Sequence, residues 1–230
     1  MAKARAIAVD QSFYEDDTAA NAVLGQVAED QFGNKYVYSK ASAAISEGEV
    51  LIQTAVIQEE TVSSSADKTK IETGGVTATW TVNQFEGFYV YVDDGTGEGQ
   101  MRTVVSNDTT TLTLDRALGT ALSVSDSDIS LFHPDSVKKA AVTTKTQIVT
   151  GVAPVDVASG SYFWRQISGT AAVLAGAALT ANDVVIPGDD TAGTCKAATT
   201  EDASSARPFG SALVGNANAD TMAVITLNLG

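Results

Sequence analysis

Side chains that could act as nucleophiles or metal ligands are scarce, because the sequence has one histidine, His133, and one cysteine, Cys195. A Ser-His-Asp triad would have to use His133, but the Gly-X-Ser-X-Gly turn that presents the serine of many hydrolases does not occur. The two residues supply too few ligands for a structural zinc site. We therefore predict a turn histidine at His133, before Pro134, and a small half-buried thiol at Cys195, with a Cys-His nucleophilic pair as the alternative.

Carboxylates also collect in turns that are rich in glycine. The segment from Asp93 to Glu98 offers oxygen ligands of the kind that calcium accepts, and 126–128 and 188–190 do so on a smaller scale. None of them has the spacing of the EF-hand loop, and a hairpin turn explains the glycines. A phosphate-binding loop at 95–100 is disfavoured, because Glu98 would repel phosphate and the Gly-Lys-Ser/Thr ending is missing. The sequence thus predicts no metal, no cofactor and no enzymatic activity.

The two tryptophans could stack on carbohydrate. Trp80 lies on the apolar face of a predicted strand, Val76 to Val82, so core packing is the favoured interpretation. Trp164 belongs to the run Tyr162-Phe-Trp-Arg165, in which at least one ring must point outward on a strand. We predict that this ring, flanked by Arg165, anchors a protein interface.

The charge balance narrows the choice of partners. Lys and Arg number 14 against 28 Asp and Glu, which gives a formal net charge of −14. Such a surface repels phosphate and anionic lipid, so neither nucleic acid nor a membrane is an expected partner. No stretch is apolar enough to span a bilayer, the first residues do not read as a signal peptide, and a single cysteine fits assembly in a reducing cytoplasm.

The elements that must position these residues are predicted to be strands. Val76, Ala78, Trp80 and Val82 alternate with threonines, the period of a strand with one buried face. Three more strand-length runs follow, separated by turns rich in Asp, Gly and Asn, and such spacing is typical of a sandwich or barrel: 88–92, 101–105 and 109–114. Later strands are predicted at 147–149, 161–165, 183–186 and 222–229.

The sequences of three segments are compatible with more than one secondary structure. Thr18 to Ala28 predicts either a short helix, weakened by Gly25, or a loosely attached arm. Asp135 to Lys145 predicts a linker or a single helical turn. Thr170 to Thr180 could form a helix, but a loop or a strand is equally compatible with its glycine and its place between strands.

Several glycine and aromatic motifs resemble those of bacteriophage capsid cement, or decoration, proteins. Three segments resemble the first strands of that fold: Leu24-Gly25, Gly33-Asn-Lys-Tyr36-Val-Tyr38 and Ile45-Ser-Glu-Gly48-Glu-Val50. Three others resemble its last strands: Tyr162-Phe-Trp164, Asp183-Val-Val-Ile186 and Phe209-Gly-Ser-Ala-Leu213. The middle segment, Gly87 to Leu114, resembles a segment common in phage structural proteins and departs from the compact form of the family.

The strand pattern and the resemblance together predict a mainly β protein: β-barrel or β-sandwich domains with an inserted middle β subdomain and an extended N-terminal arm. We expect the arm at 1–17, a cement-like β-barrel domain at 18–75 and 146–230, and the inserted subdomain at 76–134. The resemblance also implies a protein that coats the outside of an icosahedral shell, often as a homotrimer.

The resulting functional expectation is a structural virion protein that binds and stabilises the assembled capsid. Its partners would be the major capsid protein and copies of itself, and its location the capsid exterior after assembly in the host cytoplasm. The alternative is a tail, fibre or baseplate component with a receptor- or glycan-binding role. The candidate interface residues are Lys3, Arg5, Phe13, Tyr14, Tyr162, Trp164 and Arg165.

Overall fold

The structure, a computed structural model, describes residues 12–54, 58–64, 67–73, 80–141, 147–200, 202 and 207–229. Within these ranges the chain forms strands joined by turns and no α-helix, which confirms the predicted mainly β class. The strands are β1 (Asp16–Asp17), β2 (Val27–Glu29), β3 (Lys35–Ala41), β4 (Val50–Gln53), β5 (Gln58–Ser64), β6 (Lys70–Thr73), β7 (Tyr89–Asp94), β8 (Met101–Asn107), β9 (Thr111–Leu114), β10 (Asp128–Phe132), β11 (Ser136–Lys139), β12 (Val149–Val152), β13 (Tyr162–Ala175), β14 (Val184–Pro187), β15 (Cys195–Ala197), β16 (Gly210–Val214) and β17 (Thr221–Asn228).

The chain divides into two compact units, one of which interrupts the other. The first unit comprises the described residues up to Gln53 and from Pro134 onward, and the second unit is Thr54–His133. We expected the insertion to begin at residue 76, but β5 and β6 belong to the second unit. The sequence of 59–75 is mostly polar and predicted a connector, but Val62 on β5 and Ile71 on β6 are buried.

The second unit is a closed barrel of six strands in the order β10-β5-β6-β9-β8-β7, with β7 pairing back to β10. All of its strand pairs are antiparallel. Alternate residues point inward, and the barrel interior holds Ile71, Val90, Val92, Val104, Leu112, Ile129 and Leu131.

Two aromatic residues outside the strands also belong to the buried part of this unit. Trp80 is buried, as predicted, and its ring meets Phe85 edge-on at 5.2 Å between centroids. Most of the strand predicted around Trp80 lies outside the described residues, and Trp80 itself precedes a turn.

The first unit is an 11-stranded sheet organised around the long strand β13. The first half of β13 pairs with β3 and β12, and its second half pairs with β17 and β15. The pairings β13-β12, β12-β4, β4-β11, β11-β3 and β3-β13 close a ring of five strands. A register shift between Gln166 and Ser168 marks the place where β13 leaves that ring, as expected of a β-bulge.

Apolar residues at alternate positions build the core of the first unit. On the last strand, Ala223, Ile225 and Leu227 are buried, which confirms the predicted alternation. On β13, Ala171, Val173 and Ala175 are buried in the same cluster. The segment 170–180, whose structure the sequence left open, therefore begins as strand and not as helix.

Two further expectations are corrected. The predicted linker at 135–145 contains β11, which lies between β3 and β4 and buries Val137. The two lysines in β11 made this segment look polar, and the strand has few inward-facing residues to indicate its presence. No helix forms in 18–28, where turns lead into β2. Among the described residues, no helix is long and apolar enough to cross a membrane.

Candidate interaction surface

An aromatic cluster covers one face of β3 and β13. Tyr36 and Tyr38 are two residues apart and so point to the same side of β3. Trp164 pairs in register with Tyr38, and their ring centroids are 5.0 Å apart. Tyr162 stacks on Tyr38 at 6.0 Å, which extends the cluster toward solvent. This arrangement makes one face of the sheet a continuous aromatic surface.

The described part of the predicted N-terminal arm packs on this cluster. Phe13 stacks on Tyr36 with 4.2 Å between centroids and meets Trp164 edge-on at 5.6 Å. Strand β1 pairs with Tyr162 and Phe163, and the Asp16 carboxylate accepts a hydrogen bond of 3.0 Å from the backbone N–H of Ala158. Residues 12–17 are thus docked on their own sheet, whereas Lys3 and Arg5 lie outside the described residues.

Tyr14 lies at the outer margin of the cluster with 61% of its surface exposed. Burial raises the pKa of Tyr36 well above its usual value, and a hydrogen bond with Tyr14 and the nearby Asp30 carboxylate raise it further. Tyr36 therefore stays protonated and donates to Asp30 at 3.4 Å. The predicted interface residue Tyr14 is available to a partner, and Phe13 is only half-buried.

The position of Trp164 corrects a sequence-based expectation. Its side chain is 0% exposed, and its indole Nε1–H is buried without a hydrogen-bond partner. We expected one ring of the run 162–165 to point fully outward, but both faces of β13 are covered here. Phe163 packs inside the five-strand ring, and Phe13 covers the opposite face. Trp164 is thus a core residue in this structure.

Arg165 is buried as well, in an ion pair within the first unit. Its guanidinium lies 2.8 Å from Asp135, donates to the Thr150 carbonyl at 2.9 Å, and donates to the Ser39 hydroxyl. Desolvation lowers the pKa of Arg165, and Asp135 opposes that shift. Arg165 therefore bonds to groups inside the five-strand ring, and its charge does not face solvent.

Tyr162 retains the exposure that we predicted for this run. The Lys40 ammonium lies 4.9 Å from the centre of its half-buried ring, a cation–π distance. Burial lowers the pKa of Lys40. The solvent edge of the cluster thus combines an aromatic ring with a partly desolvated cation.

Exposed apolar residues that the sequence analysis did not identify lie on or next to strand β2. Strand β2 ends the sheet order, and Val27 on it and Val23 before it are exposed. Phe32, 79% exposed, stands on the turn between β2 and β3. We call Tyr14, Val23, Val27 and Phe32 the β2 rim. Only the strand order could have identified it, since each residue alone is unremarkable in sequence.

The turn that carries Phe32 is held by Asp30. The carboxylate accepts hydrogen bonds from the backbone N–H groups of Phe32 at 2.8 Å and Asn34 at 2.9 Å. Burial alone would raise the pKa of Asp30, but these bonds outweigh it and hold the pKa below its usual value. Phe32 is therefore presented to solvent by an ordered turn.

The residues considered for catalysis belong to different units. His133 follows β10 and is buried against Phe88, at 5.4 Å between rings. Cys195 is fully buried, not half-buried as expected, because it faces the core from β15, and burial raises the pKa of its thiol to about 12. Across the described ranges, no three His, Cys, Asp or Glu side chains are grouped as metal ligands. The turn after β7 joins it to β8 as a hairpin.

Comparison of the chain with known protein families, with curated proteins and with solved structures found no match.

Proposed function

We propose that this protein is a structural virion component that binds the outer surface of an assembled bacteriophage capsid through the β2 rim. The observation that carries the proposal is that exposed apolar side chains lie on and near the edge strand β2, with Phe32 held outward by the Asp30 turn. Exposed apolar residues grouped together are typical of protein interfaces. The sequence resemblance to capsid cement proteins supports the capsid as the partner.

An edge strand adds a second reason to place the partner here. Among the described strands, β2 pairs with β3 alone, and an edge strand of this kind can pair through its outer backbone groups with another chain. A partner strand laid along β2 would contact Val27 directly. Backbone pairing and apolar contact then act on the same short stretch.

The charge distribution supports an exterior position. A net charge of −14 disfavours contact with packaged DNA and keeps coated particles apart in solution. A protein that binds assembled subunits better than dissociated ones shifts the equilibrium toward the assembled shell. Many equivalent sites would multiply a modest effect at each site.

A homotrimer is part of the same proposal, and it rests on the resemblance alone. Sedimentation of the free protein and of protein released from particles tests it. A monomer in both samples contradicts the trimer but leaves capsid binding standing, since the β2 rim belongs to one chain.

The deciding experiment compares particles that carry wild-type protein, Phe32→Ser protein or none. We expect Phe32→Ser to lower occupancy on purified capsids at least tenfold without changing thermal stability, because Phe32 is exposed. Val124→Ser, at a comparably exposed position in the second unit, is the matched control and should bind as wild type.

Rupture temperature is the second measurement. Particles without the protein should form and should release DNA at a lower temperature than coated particles. Equal rupture temperatures, or antibody labelling of tails and not heads, would overturn the proposal in favour of a tail or fibre component.

A further inference from the structure

The outer face of the six-strand barrel carries a row of side chains across four neighbouring strands. Ser130 on β10 is in register with Glu59 on β5 and with Tyr91 on β7. Tyr91 is in register with Met101 on β8. Residues paired in this way lie on the same face of a sheet, about 5 Å from one strand to the next. Glu59, Ser130, Tyr91 and Met101 therefore lie in one row on the outward-pointing side of the strands, in which Ser130 itself is buried.

Tyr91 is the unusual member of this row. It is only half-buried, and its side chain makes no hydrogen bond, ring contact or ion pair with the described residues. Tyr89, two residues earlier on the same face, is by contrast stacked on Phe132 at 5.7 Å and on His133 at 6.0 Å. Met101, beside Tyr91, is 47% exposed. The barrel thus leaves one aromatic ring and one thioether without a partner.

Carboxylates lie on the same side of β7 and of the neighbouring strands β10 and β5. Glu59 is exposed and Asp128 is half-buried, and neither has a hydrogen-bond or ion-pair partner among the described residues. Asp93 lies on the same face and accepts a hydrogen bond from the Ser130 hydroxyl. We call Glu59, Tyr91, Asp93, Met101 and Asp128 the acidic tyrosine face.

The cations of the second unit lie elsewhere. The unit contains four Lys and Arg residues against twelve Asp and Glu. Lys68 donates to the carbonyl of Gly119, Arg102 donates to the carbonyls of Ala117 and Met101, and Arg116 lies 3.9 Å from Asp115. Lys70 is on β6, the strand opposite β7 in the ring order. None of these four side chains is bonded to the carboxylates of the acidic tyrosine face.

We propose that the acidic tyrosine face binds a cationic polypeptide segment, with an arginine side chain lying over the Tyr91 ring and its charge between Glu59 and the two aspartates. Aromatic faces attract cations, and a planar guanidinium both stacks on a ring and forms paired hydrogen bonds to carboxylates. The methylenes of the same side chain would cover Met101. This site is separate from the β2 rim and does not depend on capsid binding.

Charge complementarity selects this occupant over the others that a tyrosine could accept. Phosphate, sulfate and acidic sugars would meet three carboxylates at close range. A neutral sugar could stack on Tyr91 but would leave the carboxylates without a counter-charge. A second copy of the chain would bring a strongly acidic surface to an acidic face. A segment rich in arginine satisfies both the ring and the carboxylates.

The test uses the full chain and two capped peptides, Gly-Arg-Gly-Arg-Gly and Gly-Gln-Gly-Gln-Gly, with maltohexaose as a neutral sugar. We expect the arginine peptide alone to bind by calorimetry or chemical-shift titration, and more weakly as salt rises. Tyr91→Ala should weaken binding about two- to fivefold, the range for an exposed cation–π contact. Tyr91→Phe should bind as wild type.

Charge variants separate this site from attraction to the whole acidic protein. Glu59→Gln and Glu72→Gln remove the same charge, but Glu72 is on β6, across the barrel. Only Glu59→Gln should weaken binding, by at least threefold. Equal losses for both variants, no effect of Tyr91→Ala, or binding of maltohexaose in place of the arginine peptide would overturn the proposal. Unchanged melting temperatures would show that each variant is folded.

Discussion

Phe13 lies flat on Tyr36, with 4.2 Å between ring centroids and 15° between ring planes. Two residues of strand pairing and one carboxylate contact complete the attachment of this segment to its sheet. Because the pairing is so short, the stacked ring supplies most of the apolar contact. The attachment of residues 12–17 should therefore depend on this one side chain.

We predict that Phe13→Ala destabilises the first unit by about 2 kcal/mol, less than for a fully buried phenylalanine because Phe13 is half-buried. Urea denaturation measures the change. Val23→Ala, at an exposed position in the same region, should stay within about 0.5 kcal/mol of wild type. Equal stability of Phe13→Ala and wild type would contradict the docked arrangement.

The buried ion pair of Arg165 and Asp135 yields a second prediction. Asp135→Ala leaves an unpaired guanidinium in the interior and should cost about 3–5 kcal/mol. The double variant Asp135→Ala/Arg165→Met should lose less than Asp135→Ala alone, because it removes the unpaired charge. Arg116→Ala, which breaks a solvent-exposed pair, is the control and should cost less than about 1 kcal/mol.

Asp30 should give stability a dependence on pH. Its folded-state pKa is below the ordinary value of 3.8, so its contribution is complete above pH 3.8 and is lost as the pH falls through the folded-state value. Asp30→Asn should therefore be less stable than wild type at pH 7 and at pH 5. The two urea midpoints should converge below pH 3.8.

Glu98→Gln provides the comparison for Asp30→Asn. Glu98 is exposed and accepts no hydrogen bond within the described chain. Its substitution should leave the urea midpoint unchanged across the same pH range. A constant gap between Asp30→Asn and wild type down to the lowest pH would argue against the hydrogen-bonded carboxylate.

The hairpin between β7 and β8 contains two glycines that should respond differently to alanine. Both have a positive φ, 75° at Gly95 and 86° at Gly99. A Cβ on Gly95 would lie 1.8 Å from the Asp126 carbonyl oxygen, whereas one on Gly99 has nothing within 4 Å. Gly99→Ala should cost about 1–2 kcal/mol from backbone strain alone.

Gly95→Ala should cost about 1–2 kcal/mol more than Gly99→Ala, because the backbone at Asp126 must move as well. Thermal unfolding of the two variants measures the difference. Similar losses for both would mean that the turn after β7 does not approach Asp126 as described.

The sequence predicted local features better than long-range ones. The sequence pattern identified β17 and the barrel strands β7, β8 and β9, because alternating or strand-length apolar runs between turns are local properties, but it did not identify β5, β6 and β10. It also did not identify β11, a four-residue stretch ending in two lysines that becomes a strand through pairing with β3 and β4. Pairing between distant segments leaves no period in the sequence.

The predictions for the candidate interface residues also divide between local features, which the sequence showed, and long-range packing, which it did not. Tyr14 and Tyr162 keep the exposure that an interface requires, but Trp164 and Arg165 are buried because elements distant in sequence cover both faces of β13. Phe32 and Val27 were not recognised, since only the sheet order places them together at an edge. Whether any of these residues binds a capsid stays a prediction.

The pairing of Gln53 with Val137 has a consequence for how this protein can vary. The chain leaves the first unit at the end of β4 and returns on the adjacent strand β11, so the whole barrel occupies the place of a hairpin loop. Closing a loop twice as long costs only about 0.6 kcal/mol more, so the stability of the first unit should depend little on the length of the inserted segment. The barrel is therefore a replaceable insertion. A two-residue turn could take its place without changing the register of any remaining strand, and so could a foreign domain whose termini lie about one strand spacing apart.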